Sequence, residues 1–107
     1  FSVREIEDAL VANPGVTEAA VVPAPHPRLG EQAAAYVIID KGSSPSDEDL
    51  EAFLRQAGLA PQKIPRVWRQ VDELPRTASG KVKKFELQTQ LADELAGGNG
   101  PVPGQPG

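Results

Sequence analysis

Apolar residues recur at helical spacing from the start of the chain, where Val3, Ile6 and Leu10 follow a Ser2/Glu5 pair that has the form of a capping box. The pattern predicts a helix over residues 3–12, stopped by Asn13-Pro14-Gly15. Over residues 16–22 and again over 33–39 both alternating faces are apolar, which predicts two strands covered on both sides. Between them the segment 23–31 (PAPHPRLGE) holds three prolines and a glycine and reads as a loop. Ser46 opens a second helix, with Asp47, Glu48 and Asp49 in its first turn, Leu50, Phe53, Leu54 and Ala57 along one face, and Gly58 as its stop. Beyond Pro61 and Pro65, a shorter and more polar strand over 66–72 reads as a sheet edge. A turn-rich loop over 74–80 then leads into a last helix bearing Phe85, Leu87, Leu91 and Leu95. The final stretch, 97–107, is almost entirely Gly and Pro and reads as a disordered tail to a domain over 1–96. The order helix-strand-strand-helix-strand-helix implies an α+β fold, a small three-stranded sheet with helices packed on it.

Composition narrows the chemistry. A chain of 107 residues holds one modest core, burying about 60–68% of its unfolded surface, so any complete active site is expected to be shared. The absence of cysteine excludes disulfides and thiolate-held metals, and with His26 the single histidine, no metal site is expected. The longest purely apolar run, 33–39, is far short of the roughly 18–20 residues that cross a bilayer, so no membrane span is expected. The start at Phe1, directly on a helical pattern, reads as a fragment of something longer. Charge is unevenly placed within the net −4: residues 1–60 carry four cations against ten acids, whereas 61–85 carry seven cations against Asp72 and Glu73. A patch of +5 in an acidic chain can attract phosphate-bearing ligands, while the acidic remainder argues against non-specific nucleic-acid binding.

The sharpest local signal is Leu74-Pro75-Arg76-Thr77-Ala78-Ser79-Gly80-Lys81, small and hydroxylated residues delivering a lysine just before a helix. It is not a phosphate-binding loop of the Walker type, because Pro75 stands at the first glycine position and Val82 follows the lysine. What remains is a Gly-flanked loop holding one compact ammonium at an exposed tip, from which it can enter a partner's site and neutralise phosphate or carboxylate oxygens. On loop geometry alone, a solvated surface lysine is the commoner outcome.

Four stretches in order make the chain resemble the C-terminal domain of the adenylate-forming superfamily, which includes acyl-CoA synthetases, peptide-synthetase adenylation domains and luciferases. They are Ser2-Val3-Arg4-Glu5-Ile6-Glu7 with Pro14-Gly15-Val16 and Glu18-Ala19-Ala20-Val21-Val22; Pro25-His26-Pro27-Arg28-Leu29-Gly30-Glu31; Leu59-Ala60-Pro61-Gln62-Lys63-Ile64-Pro65; and Leu74-Pro75-Arg76-Thr77 through Ser79-Gly80-Lys81-Val82. Together they span about residues 1–95. Two positions depart from the pattern: His26 stands where the family more often has Asp, and Gln62 where an aromatic residue is common.

The resemblance implies a cytoplasmic two-step ligase of the acyl-CoA synthetase branch, with a role in fatty acid metabolism. A carboxylic acid attacks the α-phosphate of ATP, which carries magnesium, to give an acyl-adenylate and pyrophosphate, and the thiol of coenzyme A then displaces AMP. The N-terminal adenylation domain of the same chain is the implied partner, and no cofactor is expected on this domain alone. Lys81 aligns with the family's catalytic lysine, which domain rotation inserts for adenylation and withdraws for thioester formation. Gly80, Ser79 and Thr77 are candidates for the nucleotide loop, and Lys83, Lys84, Arg69 and Arg66 for the phosphates of coenzyme A. The family also implies an acyltransferase or deacylase acting on Lys81. The alternatives are a stand-alone phosphate- or RNA-binding module using the 66–84 patch, which has only Trp68 and Phe85 for stacking, and an adenylation fragment of a peptide synthetase.

Overall fold

The computed structural model describes residues 2–97 and has the expected α+β order: α1 (Val3–Val11), β1 (Val16–His26), β2 (Gly30–Ile39), α2 (Asp47–Gln56), a 3-10 turn (Pro61–Lys63), β3 (Val67–Gln70) and α3 (Lys84–Gly97). The strand order is β1-β2-β3, with β1 antiparallel and β3 parallel to the central β2. The more polar β3 is thus an edge, as expected, and so is β1. The Gly/Pro tail expected over 97–107 lies outside the described residues except for Gly97, which ends α3.

Both helix starts are capped by serine, in different ways. Ser46 and Asp49 exchange backbone and side-chain bonds of 3.0 and 3.1 Å, a complete capping box that satisfies two free donors of α2. Ser2 accepts from the Glu5 amide at 3.3 Å, but the Glu5 carboxylate does not return the bond; it turns to Lys63 at 2.9 Å and ties α1 to the 3-10 turn. At the other end of α2, Gly58 lies at φ +94, and the amides of Gly58 and Leu59 close on the carbonyls of Arg55 and Leu54. This Schellman ending lets Leu59 pack beside Leu54 in the same core.

The strands are apolar on both faces because both faces are covered. Odd-numbered Val21, Ala33, Ala35 and Val37 look toward α1 and α2, joining Ile6, Leu10, Leu50, Leu54 and Trp68. Even-numbered Ala20, Val22, Ala24, Ala34 and Tyr36 look toward α3, meeting Leu87, Leu91 and Leu74. On α3, Leu87 and Leu91 lie four apart and are buried, whereas Phe85 and Leu95, grouped with them on sequence, stand 67% and 40% exposed.

One expectation is corrected. The proline-rich segment 23–31 is not a loop: Pro23 pairs with Ala33 and Pro25 with Glu31, leaving only residues 27–29 as the turn of a long hairpin. The Val21 amide points away from β2, donating to Glu7 Oε2 at 2.8 Å. Two and four residues on, Pro23 and Pro25 share that outward direction, so their missing N–H groups cost the ladder nothing.

Candidate functional site

Leu74, buried, and Val82, half-buried in the same cluster, anchor a short excursion of chain to the α3 face of the sheet. Between these anchors the Thr77 amide donates to the Lys81 carbonyl at 2.8 Å and the Gly80 amide to the Thr77 carbonyl at 2.9 Å. Arg76 and Val82 form an isolated antiparallel bridge, and the Lys83 amide closes on the Pro75 carbonyl at 2.8 Å. Residues 78–80 are therefore a three-residue hairpin loop ending in a left-handed residue, Gly80 at φ +91. A Cβ at Gly80 would meet nothing within 4 Å, so the backbone conformation and not space favours glycine, at about 1–2 kcal/mol for any other residue.

The hydroxyls of this loop bond within it. Thr77 Oγ1 lies 2.9 Å from Ser79 Oγ and accepts from the Lys81 amide at 3.2 Å, which stiffens the turn just before the lysine. Because Val82 faces inward, alternation along the outgoing arm turns Lys81 outward, and Lys81 is exposed. Thr77, Ser79, Gly80 and Lys81 thus come together in one hydrogen-bonded unit.

The basic stretch is largely neutralised by acids from elsewhere in the chain. Lys63 pairs with Glu5, Arg69 with Glu94 at 3.5 Å, Arg76 with Glu18, Lys83 with Glu86 at 3.3 Å and Lys84 with Glu7. Among the described residues, Lys81 and Arg66 are the cations of 61–85 without a carboxylate partner. The stripe of free charge that an RNA-binding module needs is accordingly broken up. Lys84 begins α3 and Lys83 stands just before it; their amides bond to the Val82 and Pro75 carbonyls on the hairpin arms. Among the described residues the side chains of Lys83, Lys84 and Arg69, the last also donating to the Trp68 carbonyl at 3.0 Å, make no hydrogen bond to the Lys81 loop.

Arg66 instead joins His26, Pro27, Arg28 and Leu29 around a surface concavity at the β1–β2 turn. His26, which stands where the family more often has Asp, accepts at Nδ1 from the amides of Arg28 and Leu29 at 3.1 and 3.0 Å and so caps the turn. Arg28, too, has no carboxylate partner among the described residues. Sequence reading passed over Arg28 because only the long hairpin brings its turn near the start of β3. The phenol of Tyr36 is pushed above its usual range by burial, with Glu94 adding to the shift and Arg69 opposing it. It keeps its proton at neutral pH and serves as a core group. Among the described residues no group of three or more His, Asp or Glu is placed to hold a metal ion, and no helix is long and apolar enough to cross a membrane.

Comparison with known proteins bears on this hairpin. The family model described as AMP-binding enzyme C-terminal domain matches residues 5–81, a span that ends on the exposed lysine. The chain is 39% identical over 95 residues to the 2,3-dihydroxybenzoate-AMP ligase of Bacillus subtilis, covering 89% of this chain and 17% of that protein. It is 38% identical over 93 residues to a long-chain-fatty-acid–CoA ligase of Thermus thermophilus, covering 87% of this chain and 17% of that one. Among solved structures, apo MatB from Rhodopseudomonas palustris superposes with a TM-score of 0.81 at 38% identity, over 87% of this chain and 18% of MatB. The chain spans less than a fifth of the length of each of these relatives.

Proposed function

The chain belongs to the AMP-binding enzyme C-terminal domain family, and from that premise we propose that it is the mobile C-terminal part of an ATP-dependent, AMP-forming acyl-CoA ligase. The observation that carries this reading is the exposed Lys81, without a carboxylate partner among the described residues, on a hairpin stiffened on both arms. In the first half-reaction the substrate carboxylate attacks the α-phosphorus of ATP and pyrophosphate leaves. Two anionic groups must meet, and a lysine brought beside them from a second domain offsets their repulsion and stabilises the charge of in-line displacement. Magnesium enters with ATP as part of the substrate. In the second half-reaction the thiol of coenzyme A attacks the acyl carbonyl and AMP leaves, a step in which Lys81 has no part once the domain has rotated away.

The same reading bears on regulation and on coenzyme A. Acylation of the exposed Lys81 by an acyltransferase would cancel its charge and suppress the first half-reaction until a deacylase restored it. For the phosphates of coenzyme A, the ion pairs of Lys83, Lys84 and Arg69 favour Arg66 and Arg28, which have no carboxylate partner among the described residues, around their concavity. The experiment is to assay both half-reactions in the full-length parent enzyme, as acid-dependent pyrophosphate release and as conversion of supplied acyl-adenylate to acyl-CoA. Both are expected, and Arg66→Ala is expected to raise the KM for coenzyme A roughly tenfold, the worth of one charge-assisted hydrogen bond, with pyrophosphate release unchanged. A parent that releases no pyrophosphate with any of a panel of aliphatic and aromatic acids contradicts the reading.

A further inference from the structure

Resting on that reading of Lys81, we propose that Arg76 and Glu18 are a positioning pair that fixes the Lys81 hairpin against the sheet. Arg76 Nη1 donates to the carbonyl of Gly80, the residue immediately before Lys81, at 3.1 Å. Its Nη2 pairs with Oε1 of Glu18, which lies on β1 at the far end of the chain's sequence. A single planar guanidinium therefore joins the backbone at the hairpin tip to a strand of the sheet. The rigid fork sets both directions at once, which a flexible ammonium at the same place would not do.

Glu18 reaches that position only because β1 is bulged. Val16 pairs with Ile39 and Glu18 with Ile38, so Thr17 is an extra residue. Val16 is buried on the α1/α2 face, whereas Ala20, Val22 and Ala24 are buried on the α3 face. In an unbulged strand Glu18 would share the side of Val16, away from the hairpin; the extra residue turns it to the side where the loop from Leu74 to Val82 is anchored.

The hairpin needs such a tie. Residues 76–81 are all exposed, and their other hydrogen bonds run within the excursion itself, so nothing else among these bonds links the tip to the sheet. A lysine that must meet a developing charge loses rate steeply with displacement, on the order of 100-fold for about 1 Å. The pair is 36% and 41% exposed, and such ion pairs contribute little to global stability. Its loss is therefore expected to appear in one chemical step and not in folding.

The test uses the full-length parent with Glu18→Gln, Arg76→Gln, the double variant and Lys81→Ala, each assayed for both half-reactions and for its melting temperature. Glu18→Gln and Arg76→Gln are expected each to slow adenylate formation roughly 10–100-fold. Thioester formation from supplied acyl-adenylate and the melting temperature are expected to stay near wild type. The double variant is expected to be no slower than the slower single one, because the two residues act as a unit. Parallel loss of both half-reactions, effects that multiply in the double variant, or normal adenylation in both single variants would overturn the proposal. If adenylation survives those variants but is lost in Lys81→Ala, only the pairing is wrong; if Lys81→Ala also adenylates normally, the reading beneath it fails too. Glu18→Gln changes one charge without changing shape, so it decides the matter even if Arg76→Gln does not fold.

Discussion

Leu91→Ala is expected to destabilise the chain by about 3–5 kcal/mol, the upper part of the range for a buried leucine. Leu91 is fully buried against a sheet face that includes the small residues Ala20, Ala24 and Ala34, which have no bulk with which to refill the space. These alanines cannot move in to close the gap, so the cavity persists instead of collapsing. For a domain of this size the loss corresponds to a fall in melting temperature of at least about 10 °C. Leu95→Ala, at a position 40% exposed on the same helix, is expected to cost under about 1 kcal/mol. Thermal or urea unfolding of the two variants is the measurement, and similar losses in both would mean that α3 does not pack on the sheet through its Leu87/Leu91 face. The consequence extends to the site, because α3 follows directly on the outgoing arm of the Lys81 hairpin.

Much of this architecture was legible in the residues. Continuous apolar runs such as 33–39 imply strands covered on two faces, and α1/α2 and α3 do cover them. Ser46 with Asp49, and Gly58, mark the ends of α2 by side-chain and backbone chemistry that acts within a few residues. What was not legible depends on partners distant in sequence. Pro23 and Pro25 look like loop residues until the pairing with β2 shows that their nitrogens face outward. Thr17 gives no sign of being a bulge, since the shift exists only relative to Ile38 and Ile39.

The site divides along the same line. The Lys81 loop is written locally, in the left-handed turn that Gly80 permits and the hydroxyls of Thr77 and Ser79 that brace it. The electrostatics around it are not, because Glu7 and Glu18, from the first helix and first strand, neutralise Lys84 and Arg76. A patch that sums to +5 on sequence is, in three dimensions, a set of ion pairs that leaves Lys81 and Arg66 without a carboxylate partner among the described residues. Free charge is the property that the proposed adenylation role requires of Lys81.

Lys81→Ala in the full-length parent tests that assignment with a large effect. Removing one preorganised positive group from a displacement at phosphorus is expected to slow acid-dependent pyrophosphate release by about 10²–10³-fold, or roughly 3–4 kcal/mol of transition-state stabilisation. The side chain is exposed and without a carboxylate partner among the described residues, so the melting temperature is expected to be unchanged. The decisive measurement follows both half-reactions on one preparation of that variant, pyrophosphate release from ATP and acid, then acyl-CoA formation from supplied acyl-adenylate. Loss of the first with survival of the second is the predicted result; an unchanged first step, or equal loss of both, would contradict a domain that lends its lysine to adenylation and withdraws it for thioester formation.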